Sequence, residues 1–154
     1  MTQTLTSVVR EHIAENALAS LPHIREFLRS VCEESVGDRP RTDACSSQIA
    51  ELELAATELI SNIIRHGFSG LPRTALKLRC EISSRGMLQL ILTHQGRPFR
   101  PDAEAVPSIT EPLEGGMGLY LISECVDEVN YSTLPDGTNQ IQLNKTLTFF
   151  PEGN

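Results

Sequence analysis

A chain of 154 residues, 40% hydrophobic and 21% charged, is most simply one domain over residues 1–154, long enough to bury a core without disulfide or metal staples. Thirteen Lys and Arg stand against twenty Asp and Glu, a formal charge of −7, so the molecule repels phosphate backbones and no direct nucleic-acid partner is expected. No basic and then apolar leader opens the chain and no 18-residue apolar run follows, which argues against a membrane partner and predicts a cytoplasmic protein.

In chain order, "TLTSVVREHI" alternates enough for a short first strand. "ALASLPHIREFLRSVCEESV" then carries Leu21, Ile24, Phe27, Leu28 and Val31 at helical spacing, and Gly37 ends that helix. Turn residues in "GDRPRTDACSS" lead to serines that can cap a second helix, expected from about Ser47 to His66 with Gly67 as its stop. "TALKLRCEIS" and "MLQLILTH" read as a β-hairpin turned at "SRG". Residues 95–115 hold four prolines without periodicity, a long loop of the kind that is functional or disordered. "GMGLYLISECV" predicts a short third helix, and "DEVNYSTL" and "NQIQLNKTLTFF" two closing strands joined at "PDG". The order β, α, α, β, β, loop, α, β, β predicts one sheet covered by helices on one side.

Cys32, Cys45, Cys80 and Cys125 are widely spaced and form no C-x-x-C pair, so they read as buried or idle thiols rather than a zinc or redox site.

Three places carry chemistry. On the second helix Leu52, Ala56, Leu59 and Ile63 form the apolar face, while Glu58, Asn62 and His66 stack at four-residue steps on another. That stripe is either a solvated face or a functional one, with Glu58 as general base and Asn62 as a neutral oxygen ligand for Mg²⁺ between phosphates. At the end of the hairpin His94 meets Gly96, and its imidazole could serve as a ligand contact, a metal ligand or filler. Finally "EGGMGLYLI" places Gly115, Gly116 and Gly118 where the long loop becomes a helix; this is an anion site if the helix N–H groups are open to phosphate, or a flexible hinge.

E-x-x-x-N on a helix, a strand ending in x-x-G and a loop ending in G-x-G-L occur here in one order. With these motifs the chain resembles the GHKL ATPase superfamily, whose Bergerat ATP-binding fold is shared by gyrase, Hsp90, histidine kinases and MutL. "ELAATELISNIIRHGF" is similar to its N box, "LTHQGRPFRP" to its first glycine box and "GGMGLYLISECVDEVNY" to its second. Within it the chain is most similar to the anti-sigma factor serine/threonine kinases of bacterial partner-switching systems. A histidine-kinase catalytic module is the less favoured relation, because no phospho-acceptor hairpin surrounds His12 or His23.

The resemblance implies an α+β fold: a two-layer α/β sandwich with a mixed, mostly antiparallel sheet and helices on one face. It implies ATP and Mg²⁺ as cofactors, sequestration of a sigma factor, and phosphorylation of a Ser or Thr on a STAS-type anti-sigma factor antagonist. Glu58 would be the base, Asn62 the Mg²⁺ ligand, and His66 would line the phosphate side. Gly96 would let adenine pack on the turn, and Gly115, Gly116, Met117, Gly118 and Leu119 would wrap the phosphates behind a lid over about residues 99–114. Arg25 and Arg29 match an arginine-bearing surface for sigma factor and antagonist, or are simply two solvated arginines. Homodimer formation is common in the family and stays open here.

One position departs from the pattern. His94 stands where the family has the aspartate that accepts a hydrogen bond from the adenine amino group. A neutral imidazole accepts only one such bond, and only in one tautomer, at a cost of about 1–3 kcal/mol relative to a carboxylate. Two functions follow: an ATP-dependent kinase, or a non-catalytic partner-switching protein with weak or no nucleotide use.

Overall fold

The protein is described from a computed structural model, in which residues 7–15, 17–67, 75–96 and 116–149 are described. Strand β1 (Val8–Ala14) leads through a 3-10 turn, Leu18–Ser20, into helix α1 (Leu21–Val36). Pro22 lies in the first turn of α1, where a missing N–H costs nothing. The expected stripe faces inward: Ile24, Leu28 and Val31 are buried, with Leu21 and Phe27 packed against them.

Helix α2 (Asp43–Asn62) starts at Asp43 rather than near Ser47. The cap is Thr42, held extended with its Oγ1 accepting the Cys45 N–H at 2.9 Å. Asp43 then adds a carboxylate in the first turn, favourable at the positive end of the helix dipole. The other end also differs from expectation: α-helical bonding stops at Asn62, and Ile63–Gly67 forms a π-type turn. Leu52, Ala56, Leu59 and Ile63 are all buried, as their spacing predicts.

Strands β2 (Leu76–Ile82) and β3 (Met87–His94) form the hairpin. Gly86 at its turn has φ 91, and a Cβ there would meet the Leu147 carbonyl oxygen at 2.1 Å, so the position needs glycine twice over. Helix α3 (Gly116–Cys125), β4 (Glu128–Thr133) and β5 (Asn139–Thr146) complete the described elements.

The five strands lie in the order β1-β2-β3-β5-β4, and every pairing among them is antiparallel. Leu78 is opposite Leu92, Leu92 opposite Ile141 and Leu90 opposite Leu143, so these side chains share one face and build the core beneath the helices. The alternate residues, Lys77, Arg79, Gln89 and Gln142 among them, point to the other face and stay partly or fully exposed. Helix α2 packs against α1 on one flank and α3 on the other. The result is the two-layer α+β sandwich with helices on one face. The predicted membership of both layers holds, with the sheet antiparallel at each described pairing.

The four cysteines are unbridged and buried, and burial pushes the Cys32 thiol up to about 12. No described helix is long and apolar enough to cross a membrane.

Candidate functional site: the end of helix α2 and the Gly96 turn

Asn62 is the last α-helical residue of α2 and is only 5% exposed. At that turn the polar stripe is therefore not a solvated face. Its amide Nδ2 is buried and has no hydrogen-bond partner among the described residues. Leaving a buried donor unmatched costs about 1–3 kcal/mol, so such a group in a native fold calls for an explanation, and a bound ligand is one. The π turn that follows is a rare local geometry that recurs at functional sites. Glu58, one turn earlier on the same line, is partly exposed. His66 lies in the π turn, with its side chain outside the described residues.

At the top of β3, His94 is 2% exposed and points to the helix-covered face. Its Nδ1 lies 3.1 Å from the Gln95 carbonyl oxygen. A carbonyl only accepts, so the proton sits on Nδ1 and Nε2 is the acceptor nitrogen of the neutral ring. Burial lowers the pKa from the ordinary 6.5, against a smaller opposing effect of the Gln95 carbonyl, which keeps the ring neutral at pH 7. The neutral ring is thus held in the tautomer that accepts through Nε2.

Gly96 follows with φ 118, a conformation that favours glycine. Its carbonyl accepts a hydrogen bond at 2.9 Å from Nδ2 of Asn139, which is 3% exposed. Asn139 Oδ1 in turn accepts from Thr133 Oγ1 at 3.3 Å, and Gln95 Nε2 donates to Thr138 Oγ1 at 2.9 Å. His94, Asn139 and Thr133 form one row across β3, β5 and β4. The start of β5 therefore braces the first glycine turn from 43 residues away. Asn139 was not among the expected site residues. Its signal was present in "NQIQLNK", where Asn139 occupies the same alternating face as Ile141 and Leu143, an unusual place for an amide.

Helix α3 begins at Gly116, and its backbone carries Met117, Gly118 and Leu119 in the first turn, where N–H groups lack intrahelical partners and favour anions. Gly115 and the expected lid over 99–114 lie outside the described residues, as do the side chains of Met117 and Leu119. Arg25 and Arg29 belong to α1, across α2 from α3, and so do not join this group. Arg29 pairs with Glu53 of α2 at 2.8 Å, while Arg25 is exposed.

A carboxylate, a buried carboxamide and a glycine turn with a buried acceptor beside it are groups of the kind that nucleotide and metal sites use. Comparison with known proteins agrees with that chemistry. The chain is 25% identical over 119 residues to the serine-protein kinase RsbW of Staphylococcus epidermidis, covering 71% of this chain and 74% of that protein. It is 25% identical over 129 residues to RsbW of Halalkalibacterium halodurans, covering 79% and 78%.

Among solved structures, the RsbU and RsbW domains of a Mycobacterium tuberculosis protein superpose with TM-score 0.62 at 15% identity over 90% of this chain. The match spans 32% of that longer chain. The histidine kinase domain of a blue-light activated kinase from Erythrobacter litoralis gives TM-score 0.53 at 18% identity, covering 84% of this chain and 64% of that one. These two likenesses concern the fold alone. The profile of the histidine kinase-like ATPase domain matches residues 14–145, from the end of β1 almost to the end of β5, and the chain belongs to that family.

Proposed function

We propose that this chain binds Mg·ATP at the end of α2, the Gly96 turn and the start of α3, and transfers the γ-phosphate to a serine or threonine hydroxyl of a STAS-type anti-sigma factor antagonist. In the same proposal it sequesters a sigma factor until the antagonist displaces it. The observation that carries this reading is the buried amide of Asn62 at the end of α2, which has no hydrogen-bond partner among the described residues. The names of the relatives supply the phospho-acceptor class.

In this reading Asn62 would hold the metal through its carboxamide oxygen while its Nδ2 donates to a phosphate oxygen, and a bound Mg²⁺ would supply neutralisation of phosphate charge. Glu58 takes the proton of the attacking hydroxyl, and its partial exposure lets a protein substrate reach it. The first-turn N–H groups of α3, from Gly116 to Leu119, stabilise charge on the phosphates, with Gly115 and the lid completing the enclosure. His66 lines the phosphate side. His94 accepts from the adenine amino group through Nε2, and Gly96 lets the base lie against the turn. Arg25, exposed on α1, and Arg29, tied to Glu53, belong to the partner surface, and two copies pair as a homodimer.

The test is incubation with radiolabelled Mg·ATP and a cognate antagonist. Label on the antagonist's Ser or Thr, lost in Glu58→Ala while sigma-factor binding persists, is the expected result. Transfer unaffected by Glu58→Ala would overturn the base assignment. His94 supports a second reading, a partner-switching protein that binds both partners with weak or no nucleotide use; sigma binding without measurable nucleotide binding would favour it.

A further inference from the structure

Among the described residues, the core contains a feature that the nucleotide reading leaves unused. Lys145, near the end of β5, is 6% exposed and points toward the helices, on the face that also carries Ile141 and Leu143. Its Nζ donates to the carbonyl oxygen of Cys125, the last residue of α3, and lies 3.9 Å from Glu51 Oε1 on α2. A charged amine in a sheet core is costly unless it is matched. Here it meets the negative end of a helix and a half-exposed carboxylate, so one ammonium joins β5, α2 and the C-terminus of α3.

The rest of the junction is tied to the same strand. Asp127 N donates to the Asn144 carbonyl at 2.9 Å, and Asp127 Oδ2 accepts from Thr146 N at 2.8 Å. The C-terminal end of α3 is thus fixed by both charge and backbone bonding, and Ile122 and Cys125 seat it in the core. The N-terminal end begins at Gly116. A ten-residue helix held at one end transmits a shift of that end to the other, because its internal hydrogen bonds keep it rigid.

We infer that Lys145, clamped between Glu51 and the Cys125 carbonyl, is a positioning residue that sets where the first-turn N–H groups of α3 stand relative to the phosphates. This rests on the nucleotide-binding reading and adds to it a residue about one helix length from any phosphate contact. Lysine suits the position because its flexible stem crosses the core and brings a charge to the helix end.

The experiment is calorimetric titration of Mg·ATP into the wild type, Lys145→Met, Lys145→Arg and a control core truncation in α1, Val36→Ala, with thermal unfolding measured on each. Lys145→Met is expected to weaken binding by about tenfold, with Lys145→Arg restoring most of it and Val36→Ala changing it by less than about twofold at comparable loss of stability. Hydrogen exchange is expected to show lost protection in α3 and unchanged protection in β2 and β3. Affinity in Lys145→Met no weaker than in Val36→Ala would overturn the positioning assignment alone. Absence of binding by the wild type would overturn the nucleotide reading and this inference with it. If Lys145→Met does not fold, Glu51→Ala on the surface of α2 carries the test: threefold weaker binding is expected, and unchanged affinity overturns the assignment.

Discussion

Asn139 stands directly opposite His94 across the β3–β5 ladder, and its amide donates at 2.9 Å to the carbonyl of Gly96, two residues beyond that histidine. The turn after β3 is therefore shaped by β5, with Thr133 of β4 orienting the amide from behind. Asn139→Ala leaves the Gly96 carbonyl without this donor. A loss of about 1–2 kcal/mol in nucleotide affinity is expected, roughly five- to thirtyfold, read by titration of the variant beside the wild type. Asn139→Asp should do no better, since a carboxylate cannot donate.

His94 gives the protein a pH dependence with a definite sign. Its folded pKa lies below the unfolded value near 6.5, so between the two the unfolded chain holds more protons. Stability then rises with pH through that window, is fully present above about 6.5, and is lost as the pH falls below it. Nucleotide binding should fail in the same direction, because protonation turns the Nε2 acceptor into a donor. Unfolding midpoints of wild type and His94→Gln from pH 5 to 8 check this, and the variant should have the flatter profile. His94→Asp, with a carboxylate at the same place, should bind Mg·ATP about tenfold more tightly at pH 7.5.

The hairpin turn offers a test of the fold that is independent of any ligand. Gly86→Ala puts a Cβ against the Leu147 carbonyl and forces a non-glycine residue to φ 91. The backbone conformation alone costs about 1–3 kcal/mol, and the clash adds to it. A fall in the thermal midpoint of several degrees is expected, with the β2–β3 register preserved by the Leu78–Leu92 and Cys80–Leu90 pairs.

The layers of this fold were legible in the sequence because each rests on a period. Ile24, Leu28 and Val31 at helical steps, and Leu88, Leu90 and Leu92 at alternate positions, state their faces before any coordinate does. The ends of α2 were less legible. Thr42 outcompetes the later serines as cap because it lies extended before the helix, and the π turn after Asn62 has no compositional signature. Within the proposed site, Glu58, Asn62, His94 and the glycines are picked out by the motif order that carries the family resemblance. Asn139 and Lys145 do not, because each matters through a partner brought near by sheet register and helix packing. A polar residue on a buried strand face is the trace they leave.

Glu58 and Asn62 sit one turn apart on one helix, yet their substitutions should act on different steps. Glu58→Gln keeps the shape and removes the base, so Mg·ATP binding should stay within about threefold while transfer to the antagonist falls by about a hundredfold or more. Parallel titration and single-turnover labelling separate the two quantities.

The most direct measurement is titration of Mg·ATP into the wild type and Asn62→Ala, together with their unfolding midpoints without nucleotide. Removing a buried donor that lacks a partner among the described residues should leave the free protein at least as stable as before, while nucleotide affinity drops by about tenfold or more. Saturable binding by the wild type and that opposed pair of changes in the variant are the predicted result. No binding by the wild type at millimolar nucleotide, or equal affinity in Asn62→Ala, would contradict the assignment of this site to ATP.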